Sequence, residues 1–210
     1  MRVGLFALIL AVAFALFVGW LWRRERWPCP PWLVPLLENP YVQVVAGAAL
    51  LLDRAGVAPG MRVLDAGCGP GRLTLPAAER VGAAGSVLAV DIEPRMLERL
   101  RERVAARGVR NVETLEAGLG GGRLPAGRFD VAFLVTVLGE IRDAPAALRE
   151  IHLALRPGGV LSVTEVLPDP HYQPVARVRA LAAAAGFTEE RYFPGAVSFT
   201  WNFAKPAAGA

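Results

Sequence analysis

The chain has 210 residues, 54% hydrophobic and 20% charged, which excludes intrinsic disorder and fits one domain with an appendage. Two cysteines without a CxxC pair, Cys29 and Cys68, and two histidines argue against a disulfide scaffold or a structural zinc site, so no metal is expected. Of the net charge of +4, residues 1–26 carry +3 (Arg2, Arg23, Arg24 and Arg26 against Glu25); the nearly neutral remainder lacks the basic stripe of a nucleic-acid binder.

Val3 to Trp22 is an uncharged apolar run. At 1.5 Å per residue in a helix it spans about 30 Å, the thickness of a bilayer's hydrocarbon core. Trp20, Trp22 and Trp27 cluster at one end, followed by Arg23, Arg24 and Arg26. The pattern predicts a transmembrane anchor over residues 1–26 with its basic flank in the cytoplasm. The rival is a cleaved signal peptide, against which stand the length of the run and the lack of an A-x-A site. Residues 27–39, beginning WPCPPWLVP, read as a stiff Pro-rich linker.

Beyond the linker, strands and helices alternate. Tyr41–Ala55 is apolar at helical spacing and stops at Gly56. MRVLDA reads as a buried strand, Arg72–Val81 as a helix, SVLAVDI as a second strand and Pro94–Arg107 as an amphipathic helix with proline in its first turn. Asn111–Glu116 and Phe129–Val135 are the third and fourth strands. Ala144–Leu155 is a helix that Pro157-Gly158-Gly159 ends, and Val160–Val166 is the fifth strand. A helix over Val175–Ala185 and a terminal hairpin of Thr188–Phe193 with Val197–Lys205 complete the chain. This order predicts an α/β fold, doubly wound and Rossmann-like, mostly parallel with an antiparallel C-terminal hairpin. Right-handed crossovers bring the strand-to-helix loops to one sheet edge, where ligands bind.

The first such loop is Asp65-Ala66-Gly67-Cys68-Gly69-Pro70-Gly71. Its spacing, G-x-G-x-G, differs from the dinucleotide fingerprint G-x-G-x-x-G, and an acid two residues before the first glycine would repel a pyrophosphate but suit a cationic ligand. The segments VLDAGCGPGRLTLPAAERVG and VLAVDIEPRML resemble the first two motifs of class I S-adenosylmethionine-dependent methyltransferases, in particular the small bacterial type 11 group related to quinone-biosynthesis methyltransferases. FDVAFLVTVLGEI and ALREIHLALRPGGVLSVTE fit the fourth and fifth strands of the same family, so the resemblance covers roughly residues 40–205.

The resemblance implies S-adenosylmethionine as cofactor and a methyltransferase domain over residues 40–206, with a short tail at 207–210. Gly67, Cys68, Gly69 and Gly71 then cradle the methionyl part and Asp65 lies on its ammonium side. Asp91 takes both ribose hydroxyls, and Ile92 with Met96 lies against the adenine. From the residues alone, Asp91 also reads as a helix N-cap before Pro94, and Ile92 and Met96 as core. Two departures stand out. The family commonly carries Asp where this chain has Gly118, within Glu116-Ala117-Gly118-Leu119-Gly120-Gly121-Gly122, and His-Glu where it has Gly139-Glu140.

Methyl transfer to oxygen or carbon also needs a base. Glu140, Glu165, Asp169, His171 and Tyr172 fall at the binding edge; Glu140, His171 and Tyr172 are the expected catalytic residues, against a reading of His171 as a loop residue capping the next helix. His152, in a helix at the opposite edge, reads as structural. With the predicted anchor, the resemblance leads to a single-pass membrane protein with its catalytic domain in the cytoplasm. The acceptor is then small and lipid-soluble, a quinone precursor or lipid-like compound. The alternative is a non-catalytic, membrane-tethered protein of this fold acting as a binding or assembly factor.

Overall fold

The computed structural model describes residues 40–207. Two short helices, α1 (Pro40–Ala46) and α2 (Ala48–Arg54), lead into β1 (Arg62–Ala66). Then follow α3 (Thr74–Val81), β2 (Ser86–Asp91), α4 (Pro94–Ala106), β3 (Val112–Glu116), β4 (Phe129–Val135), α5 (Ala144–Ala154), β5 (Leu155–Val166), α6 (Val175–Ala184), β6 (Thr188–Phe193) and β7 (Ser198–Ala204). The strands form one seven-stranded sheet in the order β3-β2-β1-β4-β5-β7-β6. β1 to β5 pair in parallel, and β7 enters antiparallel between β5 and β6. The expected α/β architecture with an antiparallel C-terminal hairpin is therefore present.

Alternation within β1 and β2 explains why both faces need cover. Leu64, Ala66, Leu88 and Val90 face the layer that includes Leu148 and Ile151 of α5 and Val178 of α6. Val63 and Val87 face the opposite layer, with Leu51 and Leu52 of α2 and Ala77 and Val81 of α3. A strand apolar on both sides is what a parallel sheet between helical layers demands. The direction of strand order reverses between β1 and β4, the switch point at which open α/β sheets bind ligands.

Local differences from the sequence reading have physical causes. The helix expected over Tyr41–Ala55 is divided at Gly47, whose ψ of 146° is extended and lets α2 start afresh. The helix expected from Arg72 begins at Thr74. Pro157-Gly158-Gly159 lies inside β5, which starts at Leu155. The register shift between Phe129 and Val131 of β4 absorbs that stretch, and the Gly158 N–H donates to the Lys205 carbonyl. Proline and glycine thus mark a bulged strand entry as well as a helix stop.

The single-pass membrane localisation is corrected. Among the described residues no helix is long and apolar enough to cross a membrane. The Val3–Trp22 run, its basic flank, the 27–39 linker and the last three residues of the 207–210 tail lie outside the described residues.

Candidate functional site

The carboxyl ends of β1 and β2 build the first half of the site. Gly67 follows β1 with φ +78°, and its N–H donates to the Val90 carbonyl. A Cβ at Gly67 would lie 2.5 Å from a methyl of Val137, so both backbone sign and space require glycine there. Gly69 and Gly71 are also left-handed, at φ +53° and +90°, and nothing lies within 4 Å of where a Gly69 Cβ would stand. Cys68 is buried, and burial pushes its thiol far up. It therefore lines the loop as a small apolar residue.

Asp65 and Asp91 flank this loop. Asp65 is 3% exposed and accepts a 2.6 Å hydrogen bond from the Thr74 hydroxyl, while burial pushes its carboxyl up to about 6. Asp91 ends β2 and uses both oxygens: Oδ2 accepts from the Gly69 N–H at 2.8 Å and Oδ1 from the Glu93 N–H at 2.9 Å. Burial raises Asp91 as well. The N-cap of α4 is instead Glu93, whose side chain accepts from the Arg95 N–H. Asp91 thus shapes the glycine loop rather than capping the helix.

Ile92 and Met96 diverge. Ile92 is 62% exposed beside the loop, and Met96 is 4% exposed, on the buried face of α4. Gly118 follows β3 in an exposed loop; a Cβ there would meet the Ile92 Cδ1 at 3.4 Å. The Ala117 N–H donates to the Asp91 carbonyl, which joins this loop to the end of β2.

The second half rises from β4 and β5. His171 is buried, and its Nδ1 lies 3.8 Å from Oε1 of Glu140. The His171 N–H donates to Oδ1 of Asp169 at 2.7 Å, and the Gln173 side-chain amide donates to the His171 carbonyl at 2.7 Å. Glu165 is 1% exposed; Oε2 accepts from the Gln173 N–H at 3.1 Å, Oε1 has no partner, and burial pushes the group up to about 8. Asp169 is raised by burial too. Tyr172 meets Phe199 edge-on at 6.0 Å, and burial raises its phenol. The structure therefore brings Glu140, Glu165, Asp169 and His171 together, with Tyr172 at the rim. His152 lies elsewhere, edge-on to Phe187 at 4.9 Å.

Three contributors were not legible beforehand. Thr136, just after β4, is a non-glycine residue at φ +56°. Its N–H donates to the Thr164 carbonyl and its hydroxyl to the Val135 carbonyl, and Val137 beyond it packs on Gly67. A β-branched residue in this region is a strained position held by its surroundings. Glu150 of α5 reaches the Gly118 loop, and Gln173 braces the His171 loop. No sequence signal marks Thr136; Glu150 was detectable only as an acid on the apolar face of its helix.

Among the described residues no group of three or more His, Cys, Asp or Glu is arranged to hold a metal ion. The glycine loop fits S-adenosylmethionine: it leaves open space at Gly69, a carboxylate on each side, and an exposed apolar side chain at Ile92.

Comparison with known proteins agrees with this geometry. Residues 63–159 match the family model described as a methyltransferase domain. Nocamycin O-methyltransferase of Saccharothrix syringae is 37% identical over 126 residues, covering 59% of this chain and 44% of that protein. The ubiquinone/menaquinone biosynthesis C-methyltransferase UbiE of Shewanella sp. (strain ANA-3) is 36% identical over 121 residues, covering 57% of this chain and 48% of its own. The chain thus spans about half the length of the curated relatives it matches. Among solved structures, a SAM-dependent methyltransferase from Aquifex aeolicus superposes with a TM-score of 0.78 at 24% identity, covering 84% of this chain and 99% of that one. The cyclase SpnF shares the fold with a TM-score of 0.70 at 19% identity, covering 77% and 80%. Over residues 63–159 the chain is thus similar to methyltransferase domains, and it shares the fold of a SAM-dependent methyltransferase.

Proposed function

We propose that residues 40–206 act as one unit that transfers a methyl group from S-adenosylmethionine to a small acceptor carrying an ionisable oxygen or an activated ring carbon, of the quinone-precursor type. The observation that carries this reading is the buried His171 facing Glu140, on the same sheet edge as the glycine loop. The likeness to a quinone-pathway C-methyltransferase and to an O-methyltransferase supports both kinds of nucleophile.

When bound, S-adenosylmethionine supplies an electrophilic methyl on a positively charged sulfur. Gly67, Cys68, Gly69 and Gly71 would hold the methionyl part against the main chain, with Asp65 on its ammonium side. The Asp91 carboxylate would take the ribose hydroxyls, with Ile92 and the Gly118 loop along the adenine; Met96 supports that wall from beneath. Placement of the two reactants and exclusion of water provide most of the acceleration. The proton leaving the acceptor passes to His171. A carboxylate 3.8 Å from Nδ1 would favour the hydrogen on that nitrogen and leave Nε2 to accept. Tyr172 at the rim would bound the acceptor pocket.

The test is transfer of isotopically labelled methyl from S-adenosylmethionine to a panel of phenols and demethylated quinols, with His171→Asn and Glu140→Gln alongside. The expected result is product with the wild-type chain and a loss of roughly a hundredfold in kcat for His171→Asn, the scale of a general base. Cofactor binding without transfer to any acceptor would favour the second reading, a non-catalytic binding protein of this fold. Gly118, where the family commonly carries Asp, is the observation on that side.

A further inference from the structure

The glycine-rich segment after β3 is not a loose loop. Glu150, in the middle of α5, is 8% exposed and turns its carboxylate onto this segment. Its Oε2 accepts from the Gly120 N–H at 2.5 Å and its Oε1 from the Leu124 N–H at 2.9 Å. Each is a charge-assisted bond to main chain in a part-buried setting, the stronger kind of hydrogen bond. The loop is packed as tightly as it is bonded. Gly120 has φ +93°, and a Cβ there would meet the Ala147 N at 3.1 Å. At its start the Ala117 N–H is bonded to the Asp91 carbonyl. Between these fixed points lies Gly118, against the exposed Ile92. At Gly118 itself the loop offers a ligand only its peptide groups, and peptide groups discriminate only if they are held in position.

We propose that Glu150 is a positioning residue for purine recognition: by holding Gly120 and Leu124, it fixes the main chain around Gly118 so that a peptide carbonyl reads the exocyclic amino group of adenine, a role that in this chain replaces a side-chain carboxylate. This rests on the cofactor reading above and adds the means of base selectivity. An amino group donates and a carbonyl accepts, whereas the oxo group of hypoxanthine would face that carbonyl with its own lone pairs.

The experiment is calorimetric titration of the full chain with S-adenosylhomocysteine and with S-inosylhomocysteine, which differs at that exocyclic group. The wild type is expected to bind the adenine compound at least tenfold more tightly. Glu150→Gln, which keeps the shape but sets an amide against one of the two N–H groups, is expected to lose most of this ratio. Its kcat at saturating S-adenosylmethionine should stay within about twofold while KM rises. A preserved ratio in a folded variant overturns the proposal, since a merely structural glutamate would lower the melting temperature and leave base selectivity intact. If Glu150→Gln does not fold, amide exchange in the wild type decides: the Gly120 and Leu124 amides should gain tenfold protection with the adenine compound and not with the hypoxanthine one. Equal protection overturns the proposal, and no binding of either compound by the wild type overturns the cofactor reading along with it.

Discussion

The carbonyl oxygen of His171 occupies the space that a side chain at Gly139 would need. The Gln173 amide crowds the same point, 2.5 Å from where the Cβ would stand. The absence of a His at this position is thus a packing consequence, since the backbone of the β5–α6 loop fills its place and brings a buried imidazole against Glu140 instead. Gly139→Ala is expected to destabilise the fold by about 1–3 kcal/mol, the usual cost of overpacking. It should also lower methyl transfer by displacing His171. Thermal melting and kcat measured together check this; an unchanged melting temperature would contradict the close approach.

Glu165 gives a pH signature. Its carboxyl is pushed from an ordinary 4.5 up to about 8, first by burial and then by the nearby Asp169 and Glu140 charges, against the Gln173 N–H that lowers it. The unfolded chain therefore releases this proton near 4.5 and the native protein near 8. Between those values the native state binds more protons, so stability falls as pH rises, with the loss complete above about 8. Asp65, raised from 3.8 to about 6, pulls the same way in its lower window. Glu165→Gln should remove a slope worth on the order of a few kcal/mol and leave the variant more stable than wild type at pH 9. Urea unfolding at pH 5, 7 and 9 reads this directly.

Gly67 and Val137 form a coupled pair. Gly67→Ala brings both a left-handed alanine, costing about 1–2 kcal/mol, and a collision with the valine methyl groups. Val137→Ala in the same chain should relieve the collision but not the backbone strain. The double variant is expected to regain part of the lost stability and of the affinity for S-adenosylhomocysteine; additive losses would show that the two residues do not touch.

Asp91 holds two N–H groups and is proposed to take the ribose hydroxyls. Asp91→Ala is expected to weaken S-adenosylhomocysteine binding at least tenfold and to lower stability by about 1–3 kcal/mol. Asp91→Asn, which keeps one acceptor oxygen, should fall between. Calorimetry on both variants tests the assignment, and an unchanged dissociation constant for Asp91→Ala would remove Asp91 from the site.

The glycine-loop half of the candidate site was legible because it is local. Asp65, the three loop glycines and Asp91 lie within one β-α-β stretch, where strand ends and glycine spacing fix their position. The His171–Glu140 half depended on contacts between distant segments. His171 and Glu140 come from loops after different strands, and nothing in either loop encodes their 3.8 Å approach. Glu150 meets Gly120 across 30 residues. The left-handed backbone of Thr136 is imposed by its bond to Thr164 rather than by its residue type. Pro157-Gly158-Gly159 misled because the same residues that stop a helix also suit a bulged strand entry.

The reversal of strand order between β1 and β4 divides the molecule by provenance as well as by geometry. Residues that would hold the donor come from β1 to β3, and those that would meet the acceptor come from β4, β5 and the loop beyond. The two sets are joined along the hydrogen-bonded β1–β4 seam, across which Val137 touches Gly67. Under the proposed function, exchange of the segment after β5 is expected to change the acceptor while leaving the donor half untouched. That separation makes the β5–α6 loop the natural place to graft a new substrate preference.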